Sequence, residues 1–153
     1  MPAVSLVPRN DGHEIKLLIK NIPSNIAKIE YELLYSATDG GLSVEKGLGD
    51  TIQQVQASIE RDLLLGTSSC TSGCKYKYDS GVTGGKITLN FITNTNEVAT
   101  FESDFSLQTG ADIKRKGILL VDFPKDKTDT YKAGQFVIAL KNSSGEFVTF
   151  ASQ

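Results

Sequence analysis

Two cysteines lie close together in the sequence, and their spacing suits a disulfide bond. Cys70 and Cys74 flank residues 71–73 (Thr-Ser-Gly), a small segment that ends in glycine. Such a segment is typical of a three-residue hairpin loop with glycine in the left-handed conformation. Cysteines that face each other across a non-hydrogen-bonded antiparallel pair have Cα atoms about 4.5 Å apart, which a disulfide accepts. A bond across so short a loop contributes about 2 kcal/mol by the chain-entropy estimate, so it would fix a local turn.

Two other interpretations of this cysteine pair are a metal site and two reduced thiols. Zinc requires four ligands, and His13, the single histidine of the chain, cannot complete the set. We therefore favour the disulfide, with unpaired thiols as the alternative. A disulfide implies an oxidising compartment, so we expect a secreted or cell-surface protein. The first residues lack the features of a signal peptide, so the export signal would lie outside this sequence.

Three aspartates on one loop form a weak candidate calcium site. Asp122, Asp126 and Asp129 follow one another closely, and loop carboxylates are calcium ligands. Lys125 and Lys127 lie among them and would oppose a cation. The spacing also matches no calcium-loop motif. We therefore favour a solvated loop and expect no cofactor.

Three tyrosines, Tyr76, Tyr78 and Tyr131, are weak candidates for a sugar-binding platform, because aromatic rings stack on the apolar faces of sugars. Tyr76 and Tyr78 share one face of a predicted strand, whereas Lys75 and Lys77 occupy the other. Strand alternation explains the two tyrosines equally well as core residues, and this interpretation is favoured. The absence of tryptophan weakens the sugar hypothesis further.

The residues that commonly carry catalysis are few in this chain. Glu102 and Asp104 lie two positions apart on one strand face, a spacing that a pair of glycosidase carboxylates could use. Ordinary strands often expose two acids in this way. His13 follows a turn and has no nucleophile in a recognisable setting, so we interpret it as a solvated turn residue. The sequence therefore predicts no enzyme.

The composition describes a globular chain. It has 153 residues, of which 39% are hydrophobic and 22% charged, and its formal net charge is -2. This length predicts a single domain over residues 1–153. A near-neutral chain without a basic face is not expected to bind nucleic acid. No apolar run approaches the roughly 18 residues that a membrane-spanning helix needs, so no membrane-spanning segment is expected.

Alternation with a period of two residues dominates the chain and indicates β-strands. In one strand Ile29, Tyr31, Leu33 and Tyr35 share a face. Repeated turn signals and the absence of βαβ alternation predict an all-β, antiparallel, immunoglobulin-like β-sandwich of about eight to ten short strands. The expected strands cover residues 3–7, 13–20, 28–35, 86–91, 97–107, 118–121, 135–140 and 146–151.

One segment, residues 50–66, fits two structures. Ile52, Val55, Ile59 and Leu63 have the spacing of a helical apolar face. The same residues also fit two short strands, of which the second covers residues 59–65. We favour strands because the surrounding pattern is β, and we expect a loop before them at Gly47 and Gly49.

Residues 65–76 (LGTSSCTSGCKY), together with residues 30–35, 61–65 and 81–82, carry a family resemblance. They resemble immunoglobulin- or fibronectin type III-like domains of predicted exported proteins from candidate-phyla bacteria. In that pattern a strand ends in Leu-Gly-Thr and is followed by two cysteines on a tight turn; here Ser68 and Ser69 intervene. The resemblance covers residues 30–90, and it implies a sandwich fold, export and no enzymatic activity.

Together these observations predict a noncatalytic secreted or cell-surface module with a structural, adhesive or protein-interaction role. Its partner would be a protein or a cell surface that the sequence does not identify. The alternative is a carbohydrate-binding module that uses exposed tyrosines and loops.

Overall fold

A computed structural model describes residues 1–125 and 129–153 of the chain, and within these residues the fold is almost entirely β. The described residues form eleven strands and one short helix. These are β1 (Ala3–Pro8), β2 (Glu14–Lys20), β3 (Ile26–Asp39), β4 (Leu42–Ile52), β5 (Ile59–Leu64), β6 (Gly66–Ser69), β7 (Lys75–Tyr78), β8 (Gly84–Thr93), β9 (Val98–Thr109), α1 (Gly110–Lys116), β10 (Phe136–Lys141) and β11 (Phe147–Ala151).

The strands form two main sheets and a separate hairpin, and every pairing is antiparallel. The large sheet has six strands in the order β11-β10-β9-β8-β3-β4. The small sheet has three strands in the order β1-β2-β5, and β6 pairs with β7 alone. This arrangement confirms the predicted all-β, antiparallel sandwich.

The core lies between the two main sheets and follows the predicted alternation. Leu17 of β2 and Leu33 of β3 are completely buried, whereas their neighbours Lys16 and Glu32 are exposed. Burial of a large aliphatic or aromatic side chain contributes roughly 1.5–3 kcal/mol, so this face supplies most of the driving force for folding. The residues from both sheets that build the core include Leu6, Ile15, Leu17, Ile19, Ile29, Leu33, Ile87, Leu89, Phe91, Phe101, Phe105, Ile138 and Leu140.

The prediction of a loop at Gly47 and Gly49 is wrong, because both glycines lie inside β4. They pair with Leu34 and Glu32 of β3. A Cβ atom at Gly49 would come within 2.4 Å of the carbonyl oxygen of Tyr31. Glycine therefore permits a close approach of two backbones here and does not mark a turn.

The segment over residues 50–66 forms strands, as favoured. β4 ends at Ile52 and β5 begins at Ile59. Ile19 of β2 lies opposite Ile59, and Leu63 also faces the core. Tertiary pairing of two strands thus prevails over the helical spacing of the apolar residues.

The prediction of a strand at residues 118–121 is wrong, since this run is irregular and two of its four apolar side chains face solvent. Leu119 is 62% exposed and Val121 is 77% exposed. The side chain of Gln108 binds this segment instead. Its Nε2 donates to the carbonyl of Gly117 and its Oε1 accepts from the N–H of Leu119, each at 3.0 Å.

The helix α1, which the sequence pattern did not predict, leads into this irregular run. The hydroxyl of Thr109 caps it by accepting from the N–H of Asp112 at 3.2 Å. Gly117 ends it with a φ of 75°, a left-handed conformation that glycine adopts without strain.

Two leucine substitutions test this division between core and surface. Leu89→Ala should lower the free energy of unfolding by about 2–5 kcal/mol, because Leu89 is completely buried. Leu119→Ala, which removes the same atoms from an exposed position, should change it by less than about 0.5 kcal/mol. Urea denaturation followed by circular dichroism measures both changes. A large loss in the Leu119 variant would show that residues 118–121 belong to the core.

Candidate functional site

The hairpin β6–β7 is attached end-on to the small sheet through Leu65. The N–H of Leu65 donates to the carbonyl of His13 at 2.9 Å, and its carbonyl accepts from the N–H of Asp79 at 2.9 Å. Leu65 is itself buried. One core residue therefore connects β5 to the hairpin and fixes the start of β6 and the end of β7.

The tip of this hairpin is closed by the predicted disulfide. Cys70 and Cys74 are bonded, with their Cα atoms 4.1 Å apart, directly beyond the last paired residues Ser69 and Lys75. Gly73 has a φ of 96°, which a side chain would disfavour. The loop therefore has the geometry that the Thr-Ser-Gly spacing predicted.

The two tyrosines of β7 lie on the surface, and the favoured interpretation of them as core residues is wrong. Tyr76 is 55% exposed and Tyr78 is 41% exposed. Their ring centroids are 6.2 Å apart, and the ring planes differ by only 7°. The physical reason is that the β6–β7 hairpin extends beyond the sandwich, so neither of its faces meets a second sheet. The alternation is real, but it does not separate a core from solvent.

His13 and Arg9 extend this aromatic surface towards the small sheet. The imidazole of His13 stacks on the ring of Tyr78 with centroids 4.2 Å apart and planes 5° apart. The guanidinium carbon of Arg9 lies 6.0 Å from the Tyr78 centroid, at the outer limit of a cation–π contact. We name Arg9, His13, Tyr76 and Tyr78 the aromatic surface.

Arg9 is held in place by two carboxylates, one in the β1–β2 turn and one at the start of β2. Its Nε donates to Oδ1 of Asp11 at 2.9 Å, its Nη2 donates to Oδ2 at 2.9 Å, and its Nη1 binds Glu14. The hydrogen bonds from Arg9 lower the pKa of the Asp11 carboxyl to about 2. Both groups therefore stay ionised at neutral pH, and the guanidinium keeps one orientation.

A charged cluster lies beneath the hairpin, where Asp79 follows β7. Its carboxylate accepts from the hydroxyl of Tyr35 at 2.7 Å and from the ammonium of Lys46 at 2.5 Å, and its side chain is only 7% exposed. Burial alone would raise the pKa of Asp79, but these two hydrogen bonds outweigh it, and the pKa lies below the ordinary value. Burial and the Asp79 carboxylate raise the pKa of Tyr35, so the phenol stays protonated as a donor. This cluster ties the base of the hairpin to β3 and β4.

The third candidate tyrosine is not part of the aromatic surface. The hydroxyl of Tyr131 donates to Oγ1 of Thr149 in β11 at 2.8 Å, and its ring is half-buried. β11 is the edge strand of the large sheet opposite to β4. The structure therefore brings Tyr76 and Tyr78 together and leaves Tyr131 on another strand.

The calcium candidates are only partly covered by the structure, because Asp126 lies outside the described residues. Asp122 is exposed with a φ of 63°, and the carboxylate of Asp129 lies 3.4 Å from the hydroxyl of Tyr131. Among residues 1–125 and 129–153, no three side chains of the metal-ligating types are grouped to hold an ion.

The two acids of β9 are exposed on the outer face of the large sheet. Glu102 forms an ion pair with Lys86 at 2.7 Å, and Asp104 lies opposite Lys86 in the register.

Across the described part of the chain, no helix has the length and hydropathy to cross a bilayer.

Comparison with protein-family models, with curated proteins and with solved structures finds no significant match to this chain. The resemblance seen in residues 30–90 therefore stays an expectation.

Sequence reasoning missed the partners that orient the aromatic surface. His13 was interpreted as a solvated turn residue, yet it stacks on a side chain 65 positions further along the chain. Only the fold brings these two residues together, and no local spacing could have indicated it.

Asp79→Asn tests how strongly the charged cluster holds the hairpin base. The substitution leaves Lys46 without its counter-ion, so we expect a loss of about 1–2 kcal/mol of unfolding free energy at pH 7. The lowered pKa of Asp79 stabilises the fold above the ordinary aspartate value of 3.8, and this contribution is lost as the pH falls through the lowered value. The difference between variant and wild type should therefore shrink in acid. Urea denaturation at pH 7 and pH 3 measures it; an equal difference at both values would contradict this account.

Proposed function

We propose that this chain is a noncatalytic secreted or cell-surface module that binds a protein partner through the aromatic surface of its disulfide-closed hairpin. The observation that carries this proposal is the exposure of two parallel tyrosine rings on an element that extends beyond the sandwich. Tyrosine is enriched among the residues that dominate protein–protein binding energy. Neither ring contributes to the core, so folding alone does not account for their position.

The hairpin is also held rigid before any partner arrives, which favours binding. The disulfide closes its tip, Leu65 and Asp79 fix its base, and His13 supports the ring of Tyr78. A surface that is ordered in advance loses less conformational entropy on association. Tyrosine itself offers a large contact area with only two rotatable side-chain bonds.

The charges around the tyrosines suggest the chemistry of the partner. Lys75 and Lys77 alternate with the tyrosines along β7, so they are exposed on the opposite face of the same strand. Arg9 also lies beside Tyr78, but Asp11 and Glu14 already neutralise its charge. A protein partner that contacts the tyrosines with an apolar or aromatic group, and that reaches the two lysines around the hairpin with carboxylates, would complement this arrangement.

Carbohydrate binding is the second candidate function, and one observation favours it. Tyr76 stacks on Tyr78 but has no further ring partner among the described residues, and more than half of its side chain is open to solvent. An exposed aromatic ring can stack on the apolar face of a sugar. With Tyr131 on another strand, this platform would consist of the hairpin alone.

Export is supported by the disulfide and by the resemblance to exported immunoglobulin-like domains. If the protein matures in an oxidising compartment, Cys70 and Cys74 should be bonded in protein isolated from its native source. Thiol titration under denaturing conditions should therefore find fewer than about 0.1 free thiols per chain before reduction and about two after it. Two free thiols before reduction would contradict export.

The binding proposal can be tested with a displayed library of random peptides, because such libraries sample protein-like contact chemistry. Peptides selected on the wild-type chain should bind Tyr76→Ala at least about tenfold more weakly, as expected for a tyrosine that dominates an interface. Val98→Ala is the matched control, since Val98 is equally exposed but lies on β9. Surface plasmon resonance gives the affinities. Peptides that bind Tyr76→Ala as well as wild type would contradict the proposal.

The same two variants distinguish the carbohydrate alternative on a glycan array. The alternative holds if two results coincide. A glycan should bind the wild type and Val98→Ala but not Tyr76→Ala, and no selected peptide should depend on Tyr76. The partner would then be a sugar and not a protein. Failure of both probes to depend on Tyr76 would overturn both candidate functions.

A further inference from the structure

The strand β4 forms one edge of the large sheet, and it is the longest edge strand described. It spans eleven residues, Leu42–Ile52, contains no proline, and pairs with β3 along its whole length. Its other side has no strand partner among the described residues. An unpaired edge presents a row of N–H and C=O groups that can pair with another chain.

The backbone groups that face outward can be identified from the register. The N–H of Thr38 in β3 donates to Ser80, on the side away from β4. Since N–H and C=O groups of successive residues alternate in direction, the odd-numbered residues of β3 point towards β4. Leu33 lies opposite Leu48, so the even-numbered residues of β4 bind β3. The residues with outward N–H and C=O groups are then Ser43, Glu45, Gly47, Gly49 and Thr51.

We propose that β4 pairs antiparallel with β4 of a second copy of this chain, about a two-fold axis that passes beside Leu48. In this register Leu48 faces Leu48 of the other copy. Lys46 faces Asp50, and Val44 faces Ile52, in both halves of the pair. Opposite charges and apolar residues directly across a strand pair both stabilise it.

The alternatives to this register are unfavourable. A two-fold axis at Lys46 or at Asp50 would place two like charges directly opposite each other. An axis at Gly47 or at Gly49 would place a charged residue opposite an apolar one at each end of the pair. Of the five registers with an axis at residues 46–50, the one at Leu48 is therefore self-complementary, as a two-fold interface requires.

The outward backbone groups agree with the same register. Gly47 would face Gly49, and Glu45 would face Thr51, and these four residues all carry outward N–H and C=O groups. They would form the hydrogen-bonded pairs, and Leu48 would lie in a non-hydrogen-bonded pair between them. The two glycines have no side chains to obstruct the approach of the second backbone.

Lys46 requires a separate argument, because an inward-pointing lysine on an edge strand normally opposes such pairing. Its ammonium is already neutralised by Asp79. An ammonium has three donors, so Lys46 can bind Asp79 and the Asp50 carboxylate of the second copy together. Asp50 itself is exposed, and its only described side-chain hydrogen bond is to the N–H of Thr51.

A single introduced cysteine tests the axis directly. Leu48→Cys places two thiols across a non-hydrogen-bonded pair, where Cα atoms lie about 4.5 Å apart and a disulfide can form. The native cysteines are already bonded to each other, so they leave no free thiol to interfere. Under mild oxidation this variant should convert to a disulfide-linked dimer on a non-reducing gel. Val44→Cys, the matched control, should stay monomeric on that gel because it faces Ile52.

The association itself is measured by sedimentation velocity over a series of protein concentrations. The wild type should dimerise reversibly, and Asp50→Lys should weaken the dimer at least tenfold, because it places two cations opposite each other at both ends. Asp62→Lys makes the same charge change on exposed β5 and should leave the dimer unchanged. A wild type that is monomeric at every concentration, or equal cross-linking of the Leu48 and Val44 variants, would overturn the proposal. Both results are independent of whether Tyr76 binds a partner.

Discussion

The structure depends on a mismatch between its two main sheets, since three strands must cover the apolar face of six. Leu33, Leu89 and Phe105 of the large sheet are buried in the core that it shares with the small sheet. The small sheet does not cover β4 completely. Val44 and Leu48 point to the same side as Ile52, yet they remain half-buried while Ile52 is buried. The hydrophobic driving force therefore weakens towards this edge.

Polar interactions replace apolar packing where the small sheet ends. Tyr35 is the last large aromatic side chain of the inner face of β3, and its hydroxyl reaches Asp79 rather than another core residue. The carboxylate is shielded from solvent, so it must be paired to be tolerated, and Lys46 of β4 supplies the charge. The same cluster fixes the point where the hairpin leaves the sandwich. The exposed tyrosines are therefore positioned by an ion pair between a buried carboxylate and a half-exposed ammonium.

Prediction from the sequence was correct for features that depend on local alternation or on a short turn. It was wrong where a neighbouring strand or sheet decides whether a residue is paired or buried. The inner face of β3 and the disulfide turn were predicted correctly because a period of two residues and a Thr-Ser-Gly loop each act locally. Tyr76 and Tyr78 follow the same period, but no sheet faces them. Gly47 and Gly49 resemble a loop only until β3 is known to lie beside them. The stack of His13 on Tyr78 joins distant segments and had no sequence signal.

The four edge strands of the two main sheets differ in how well they resist a second chain. β1 contains Pro8, which removes an N–H group, and β5 exposes three successive charged residues, Glu60, Arg61 and Asp62. β11 has only five residues. β4 has none of these protections, because it is eleven residues long and contains neither a proline nor three successive charged residues. The N–H and C=O groups of Gly47 and Gly49 point outward from it. A pair of copies joined at β4 would carry two disulfide-closed hairpins, and two linked sites on one cell surface bind more tightly than either site alone. In such a pair the weakly covered edge would serve the proposed binding role, because it would supply the second hairpin.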